Sequence, residues 1–72
     1  MERKVVESSN LSEIGYDPET LTLEIQFKKG SVYQYYDVPV EVYDEFMESK
    51  SLGKSFSELI RGGDFHYKCV GK

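Results

Sequence analysis

One segment constrains the fold of this chain more than any other. Leu21, Leu23, Ile25 and Phe27 alternate with Thr22, Glu24 and Gln26. A period of two describes a strand with one buried face and one wet face. Phe27-Lys28-Lys29-Gly30-Ser31 follows, and glycine enters a left-handed bulge without a Cβ penalty. The segment therefore reads as a three-residue hairpin loop closed by Gly30. In that register Ser31 opposes Phe27, Tyr33 opposes Ile25, and Tyr35 opposes Leu23. Opposed residues share a face. Tyr33 and Tyr35 then join the apolar side, while Val32, Gln34 and Tyr36 join Glu24 and Gln26. A two-residue turn at Lys29-Gly30 would reverse this, because a slip of one residue flips every side chain. The apolar partners favour the longer loop.

The neighbouring elements follow from the same kind of pattern. A strand over residues 11–16 precedes the run, joined to it by Asp17-Pro18-Glu19-Thr20. Asp first and Pro second is the signature of a type I turn. Val38-Pro39 ends the second hairpin arm and opens a helix, with Pro at the first helical position. Val42, Tyr43, Phe46 and Met47 make one apolar stripe, and Glu41, Asp44, Glu45 and Glu48 fill the other side. Ser51-Leu52-Gly53-Lys54 breaks that helix. A second helix is expected from Ser55, with Ser55 and Glu58 spaced as a capping box. Phe56, Leu59 and Ile60 would be its buried stripe, and Gly62-Gly63 its stop. A last strand is expected over residues 65–70, and a further edge strand over residues 4–8. The result is one α+β domain spanning residues 1–72. It has a small antiparallel sheet of three to five strands and two short helices packed on one face.

Composition narrows the setting. A chain of 72 residues has room for one core, and such a core supplies only ~3–5 kcal/mol of net stability without staples. The single cysteine, Cys69, forms no internal disulfide, so a reduced cytoplasmic location is expected. The charged opening residues do not form a signal peptide, and no apolar run approaches the ~18 residues of a membrane helix. Residues 1–49 carry four Lys/Arg and eleven Asp/Glu, whereas residues 50–72 carry five Lys/Arg and two Asp/Glu. The overall charge of −4 argues against indiscriminate nucleic-acid binding, but the asymmetry leaves room for a local basic patch.

Several short motifs also follow one another in an ordered series. They are Val6-Glu7-Ser8-Ser9-Asn10-Leu11, Ile14-Gly15-Tyr16-Asp17, Phe27 and Gly30, Tyr33-Gln34-Tyr35, Val38-Pro39, Ser51-Leu52-Gly53, Phe56 and Ile60-Arg61-Gly62. Over about residues 4–70 the series resembles the KTSC family, named for a segment at the C-terminus of some lysyl-tRNA synthetases. The family also occurs as single-domain proteins. By its association with a synthetase, the resemblance implies RNA binding. It brings no catalytic residues with it.

The candidate chemistry is that of a binding module. Single-stranded RNA is held by bases stacking on aromatics beside cations that meet phosphates. The register assigns Tyr33 and Tyr35 to the core and leaves Tyr36 as the stacking candidate on the other face. Lys54, Arg61, His66, Lys68 and Lys72 are the candidate cations. No cofactor or metal is expected. His66 and Cys69 are the only residues of their types, and a structural zinc needs four such ligands. Ser8 or Ser9 with His66 as base is a conceivable hydrolytic pair, but serines before a strand more often bond the local backbone. The main rival is a protein-interaction module, or a homodimer that pairs through a sheet edge. No membrane partner is expected.

Overall fold

The computed structural model describes residues 3–71. Lys72, one of the candidate cations, lies outside them. Five strands form one antiparallel sheet: β1 (Arg3–Val5), β2 (Leu11–Asp17), β3 (Thr22–Phe27), β4 (Val32–Tyr35) and β5 (Tyr67–Gly71). They lie side by side in the order of the sequence. Between β4 and β5 the chain forms α1 (Val40–Glu48) and α2 (Leu52–Ser55). The second helix continues as a π-helical segment, Phe56–Arg61. The helices pack on one face of the sheet, which gives the α+β architecture.

The central hairpin has the expected three-residue loop. Gly30 has φ 106°. Its N–H donates to Phe27 O at 2.9 Å, and Phe27 N–H donates to Ser31 O at 2.8 Å. Ile25 pairs with Tyr33 and Leu23 with Tyr35. The core is therefore built from the alternating residues: Leu11, Ile14, Leu23, Ile25, Tyr35, Val38, Phe46, Phe56 and Ile60 are all buried. Each fully buried aliphatic or aromatic side chain contributes ~1.5–3 kcal/mol relative to exposure. Phe46 anchors α1, flanked by the half-buried Val42, Tyr43 and Met47 of the expected stripe. Tyr16 of β2 stacks on Tyr43, with ring centroids 4.4 Å apart, and its hydroxyl donates to Val38 O.

The opposite face of the sheet is open and polar. The register aligns Arg3, Gly15, Glu24, Gln34 and Lys68 in one row across all five strands. Gly15 has no side chain to hold its neighbours apart. The Arg3 guanidinium reaches over it to Glu24, with Nε 3.2 Å from Oε2. Glu24 accepts from Gln34 Nε2 at 2.8 Å, and Gln34 Oε1 accepts from the Tyr36 hydroxyl at 3.0 Å. Tyr36 is thus half-buried and tied into this network.

Several local expectations give way. Leu21 is not on the buried face: it sits in the turn at φ 56° and is 37% exposed. The Asp17 carboxylate accepts Glu19 N–H at 2.9 Å, as a turn-capping Asp should. The turn, however, runs one residue longer than expected, so β3 starts at Thr22. Pro39 is the residue before α1 rather than its first residue. The capping box at Ser55 does not form. The second helix already begins at Leu52, and Gly53 and Lys54 lie inside it. Ser55 makes no side-chain cap bond. Tertiary packing of Phe56 and Ile60 sets the start, overriding a local capping preference. The edge strands are shifted as well, to Arg3–Val5 and Tyr67–Gly71.

The end of the second helix turns tightly. Gly62 N–H donates to Ser57 O, five residues back, at 3.1 Å. A Cβ on Gly63 would lie 2.5 Å from Leu59 O and 2.5 Å from Phe65 Cε2. Gly63→Ala should therefore cost about 1–3 kcal/mol through overpacking. A Cβ on Gly53 would lie 3.6 Å from Asn10 Nδ2, an ordinary contact. Gly53→Ala should be neutral, or stabilise by up to about 1 kcal/mol through helix propensity. Urea denaturation of the two variants checks both. Burial, followed by the neighbouring Tyr67 hydroxyl, pushes the Tyr35 phenol up to about 12, against a small opposing pull from Arg61. The folded state thus holds this proton more tightly than the unfolded chain, whose tyrosines titrate near 10. Its contribution to stability is complete below pH ~10 and is lost as pH rises through ~12. Tyr16 and Tyr43 are raised in the same direction. Tyr35→Phe should therefore make the fall of unfolding free energy between pH 10 and 12 shallower without abolishing it.

Candidate functional site

The helix-facing side of β3, β4 and β5 is not fully covered. Beyond the edge of the core, an open cleft of about 540 Å³ lies between the sheet and the π-helical segment. Its floor is aromatic. Phe27, Tyr33, Tyr35 and Tyr67 come from three adjacent strands, and Phe56 and Phe65 close the helical side. Alternation places these strand residues on one face, as the register requires. Tyr33 meets Phe27 edge-on at 5.6 Å between centroids and Tyr67 at 5.9 Å. Tyr35 meets Phe56 edge-on at 5.7 Å. The two members of the Tyr-x-Tyr motif therefore differ. Tyr35 is 6% exposed and belongs to the core, as its register implied. Tyr33 is half-buried and presents part of its ring to the cleft. Tyr67, on the edge strand, is 63% exposed.

Charge enters the cleft from two elements. Lys29 comes from the Gly30 hairpin and Arg61 from the last residue of the π-helical segment, with Asp64 the only acidic residue of the lining. Phe56 and Arg61 are five residues apart. A turn closed by i→i+5 bonds brings such residues toward the same side of the helix, and both line the cleft. Among the described residues, the ion pairs are those of Arg3 with Glu13 and Glu24, on the opposite face. Neither Lys29 nor Arg61 makes an ion pair among the described residues, although Asp64 lines the same cleft.

The residues singled out from the sequence do not form a single surface. Arg61 lines the cleft. Lys68 pairs with Gln34 and lies on the open polar face, next to the Tyr36–Gln34–Glu24 network. Lys54 is exposed on α2 and does not line this cleft. His66 is exposed, and its carbonyl accepts Tyr36 N–H at 2.8 Å. Ser8 Oγ accepts the N–H groups of Asn10 and Leu11, a local turn. Cys69 is exposed, with Sγ 3.3 Å from Gly71 O. Among the described residues no three His, Cys, Asp or Glu side chains gather as a metal site would need. None of the described helices is long and apolar enough to cross a membrane.

Sequence reasoning missed Phe27, Lys29, Phe65 and Tyr67 as cleft residues. Lys29 reads in the sequence only as a turn residue. The sequence predicts a last strand over residues 65–70. It does not predict the pairing of β5 with β4, which sets Tyr67 beside Tyr33 and Tyr35. On the far side of the helices the charge is reversed: Glu41, Asp44, Glu45, Glu48 and Glu58 line a shallow open groove.

Comparison with known proteins agrees with this architecture. The model of the KTSC domain matches residues 7–65. An uncharacterised protein of Stutzerimonas stutzeri is 39% identical over 67 residues, covering 93% of this chain and 94% of that protein. A lysine–tRNA ligase of Nostoc punctiforme is 38% identical over 56 residues, which is 78% of this chain but 10% of the ligase. The crystal structure of a KTSC domain protein from Yersinia pestis superposes with a TM-score of 0.89 at 41% identity, covering 97% of both chains. The fold, its ordered motifs and these matches agree: the chain belongs to the KTSC domain family.

Proposed function

We propose that this chain is a non-catalytic binding module that holds single-stranded RNA in the aromatic cleft. The observation that carries the reading is the joining of partly exposed rings to unpaired cations. Tyr33 and Tyr67 offer stacking surfaces, with Lys29 and Arg61 beside them. Base stacking on aromatics together with cations on the strand's phosphates is the physics of single-strand recognition. The acidic groove on the opposite side of the helices repels a polyanion and leaves the cleft as the favourable approach. RNA is preferred over DNA because related segments make up about a tenth of proteins named lysine–tRNA ligases. The exposed, unpaired Cys69 suits a reducing, cytoplasmic setting.

The rival reading is pairing through a sheet edge. Among the described residues β1 has three, Arg3–Val5. β5 carries Lys68 and a register irregularity opposite Val32 and Tyr33. Short, charged or bulged edges discourage edge-to-edge pairing, so the cleft is the stronger site.

Fluorescence anisotropy with labelled single-stranded RNA and with tRNA tests the reading. The expected result is binding at low salt that weakens as salt is added. Tyr67→Ala should lose about 1–3 kcal/mol of binding free energy if a base stacks there. Tyr36→Phe, on the opposite face, should bind as the unaltered chain does. Absence of binding at low salt, where phosphate contacts are strongest, would overturn the proposal.

A further inference from the structure

A second cleft of about 400 Å³ adjoins the first and shares Phe27, Lys29, Phe56 and Arg61 with it. Its remaining lining has a different character. Ser9, Asn10 and Ser57 supply polar side chains, and Lys28 adds a third cation to Lys29 and Arg61. Among the described residues no acidic side chain and no tyrosine lines it. The loop that forms one wall is fixed in place. Lys28 N–H donates to Asn10 O at 2.8 Å, and Ser8 Oγ accepts Asn10 N–H and Leu11 N–H. Gly53 lies on the opposite wall, where a Cβ would make ordinary contact with Asn10 Nδ2 and Ser8 Oγ. The first cleft is aromatic and the second is cationic and rich in hydroxyl and amide groups, and Arg61 stands on their common wall.

We propose that the second cleft is a phosphate subsite, and that the two clefts together take a phosphodiester chain. A base stacks in the aromatic cleft, while the linkage to the next nucleotide is held by Lys28, Lys29 and Arg61. This assignment rests on the RNA reading of the aromatic cleft and extends it. It makes a dinucleotide the smallest ligand that fills both clefts, where a free nucleoside fills only the aromatic one. Charge-assisted bonds from Lys and Arg to phosphate oxygens supply the affinity. The hydroxyl of Ser9 and the amide of Asn10 are chemically suited to the remaining oxygens, while the Ser57 hydroxyl donates to Gly53 O at 3.3 Å.

The test uses the full chain and three probes: adenosine, the dinucleotide ApA, and a labelled six-residue oligoadenylate. ApA should bind more tightly than adenosine. Lys28 lines the second cleft and not the first, and it is exposed, so Lys28→Ala should leave the fold intact. The variant should bind adenosine unchanged and bind the oligonucleotide several-fold more weakly. The slope of log affinity against log salt should shrink by about 0.7, the loss of one phosphate contact on a single strand. Suppose Lys28→Ala keeps the affinity and salt slope of the unaltered chain while Tyr67→Ala still weakens binding. The phosphate subsite is then overturned and the aromatic site stands. If the unaltered chain binds none of the three probes at low salt, both are overturned.

Discussion

The hydrogen bond from Gly30 N–H to Phe27 O closes a loop of three residues, and nearly everything else in the molecule depends on that count. It fixes which residues of β3 and β4 oppose each other. Leu23, Ile25 and Tyr35 consequently face the helices and meet Phe46, Phe56 and Ile60 in one core. Glu24, Gln34 and Tyr36 face the other way and join Arg3 in a hydrogen-bonded row. A slip of one residue would place the carboxylate and amides of that row beneath the helices and expose the aliphatic set. Burying such groups without partners costs several kcal/mol. A core of this size has little stability to spare, so the register is set by the whole two-sided pattern, with the glycine making it sterically available.

The same count separates the tyrosines. Tyr33 and Tyr35 share the helix-facing side with Tyr67, and Tyr36 is on the other side. The position along the strand then decides how much of each ring is left free. Tyr35 lies under Phe56 and is buried, Tyr33 lies nearer the hairpin, and Tyr67 is on the edge strand with no strand beyond it. A row of rings of rising exposure next to Lys29 and Arg61 results from an ordinary amphipathic hairpin whose helical cover is too short to hide all of it.

Much of this was legible in the sequence where periodicity and turn chemistry agreed. The hairpin register, the Phe46 stripe of α1 and the division of the tyrosines all follow from alternation or helical spacing. The failures have a common cause in contacts distant along the chain. Leu21 has a strand-like neighbourhood but occupies a positive-φ turn position, leaving Thr22 to pair with Asp17. Ser55 has the spacing of a capping residue, yet the helix extends back to Leu52 because Phe56 and Ile60 are already engaged with the sheet. Arg61 reads as a candidate cation, but its place in the cleft lining beside Phe56 follows the i→i+5 turn, which no side-chain pattern announces. Lys68 and Tyr36 were grouped with it, but the strand order sets them on the opposite face.

The central claim is that the working surface is the cleft on the helix-facing side of the hairpin and not the open polar face of the sheet. Mapping backbone and side-chain chemical shifts of the isotopically labelled chain during titration with a short single-stranded RNA tests it most directly. The account requires the shifts to cluster at Phe27, Lys29, Tyr33, Arg61 and Tyr67. It is contradicted if Gln34, Tyr36 and Lys68 move while the cleft residues keep their positions.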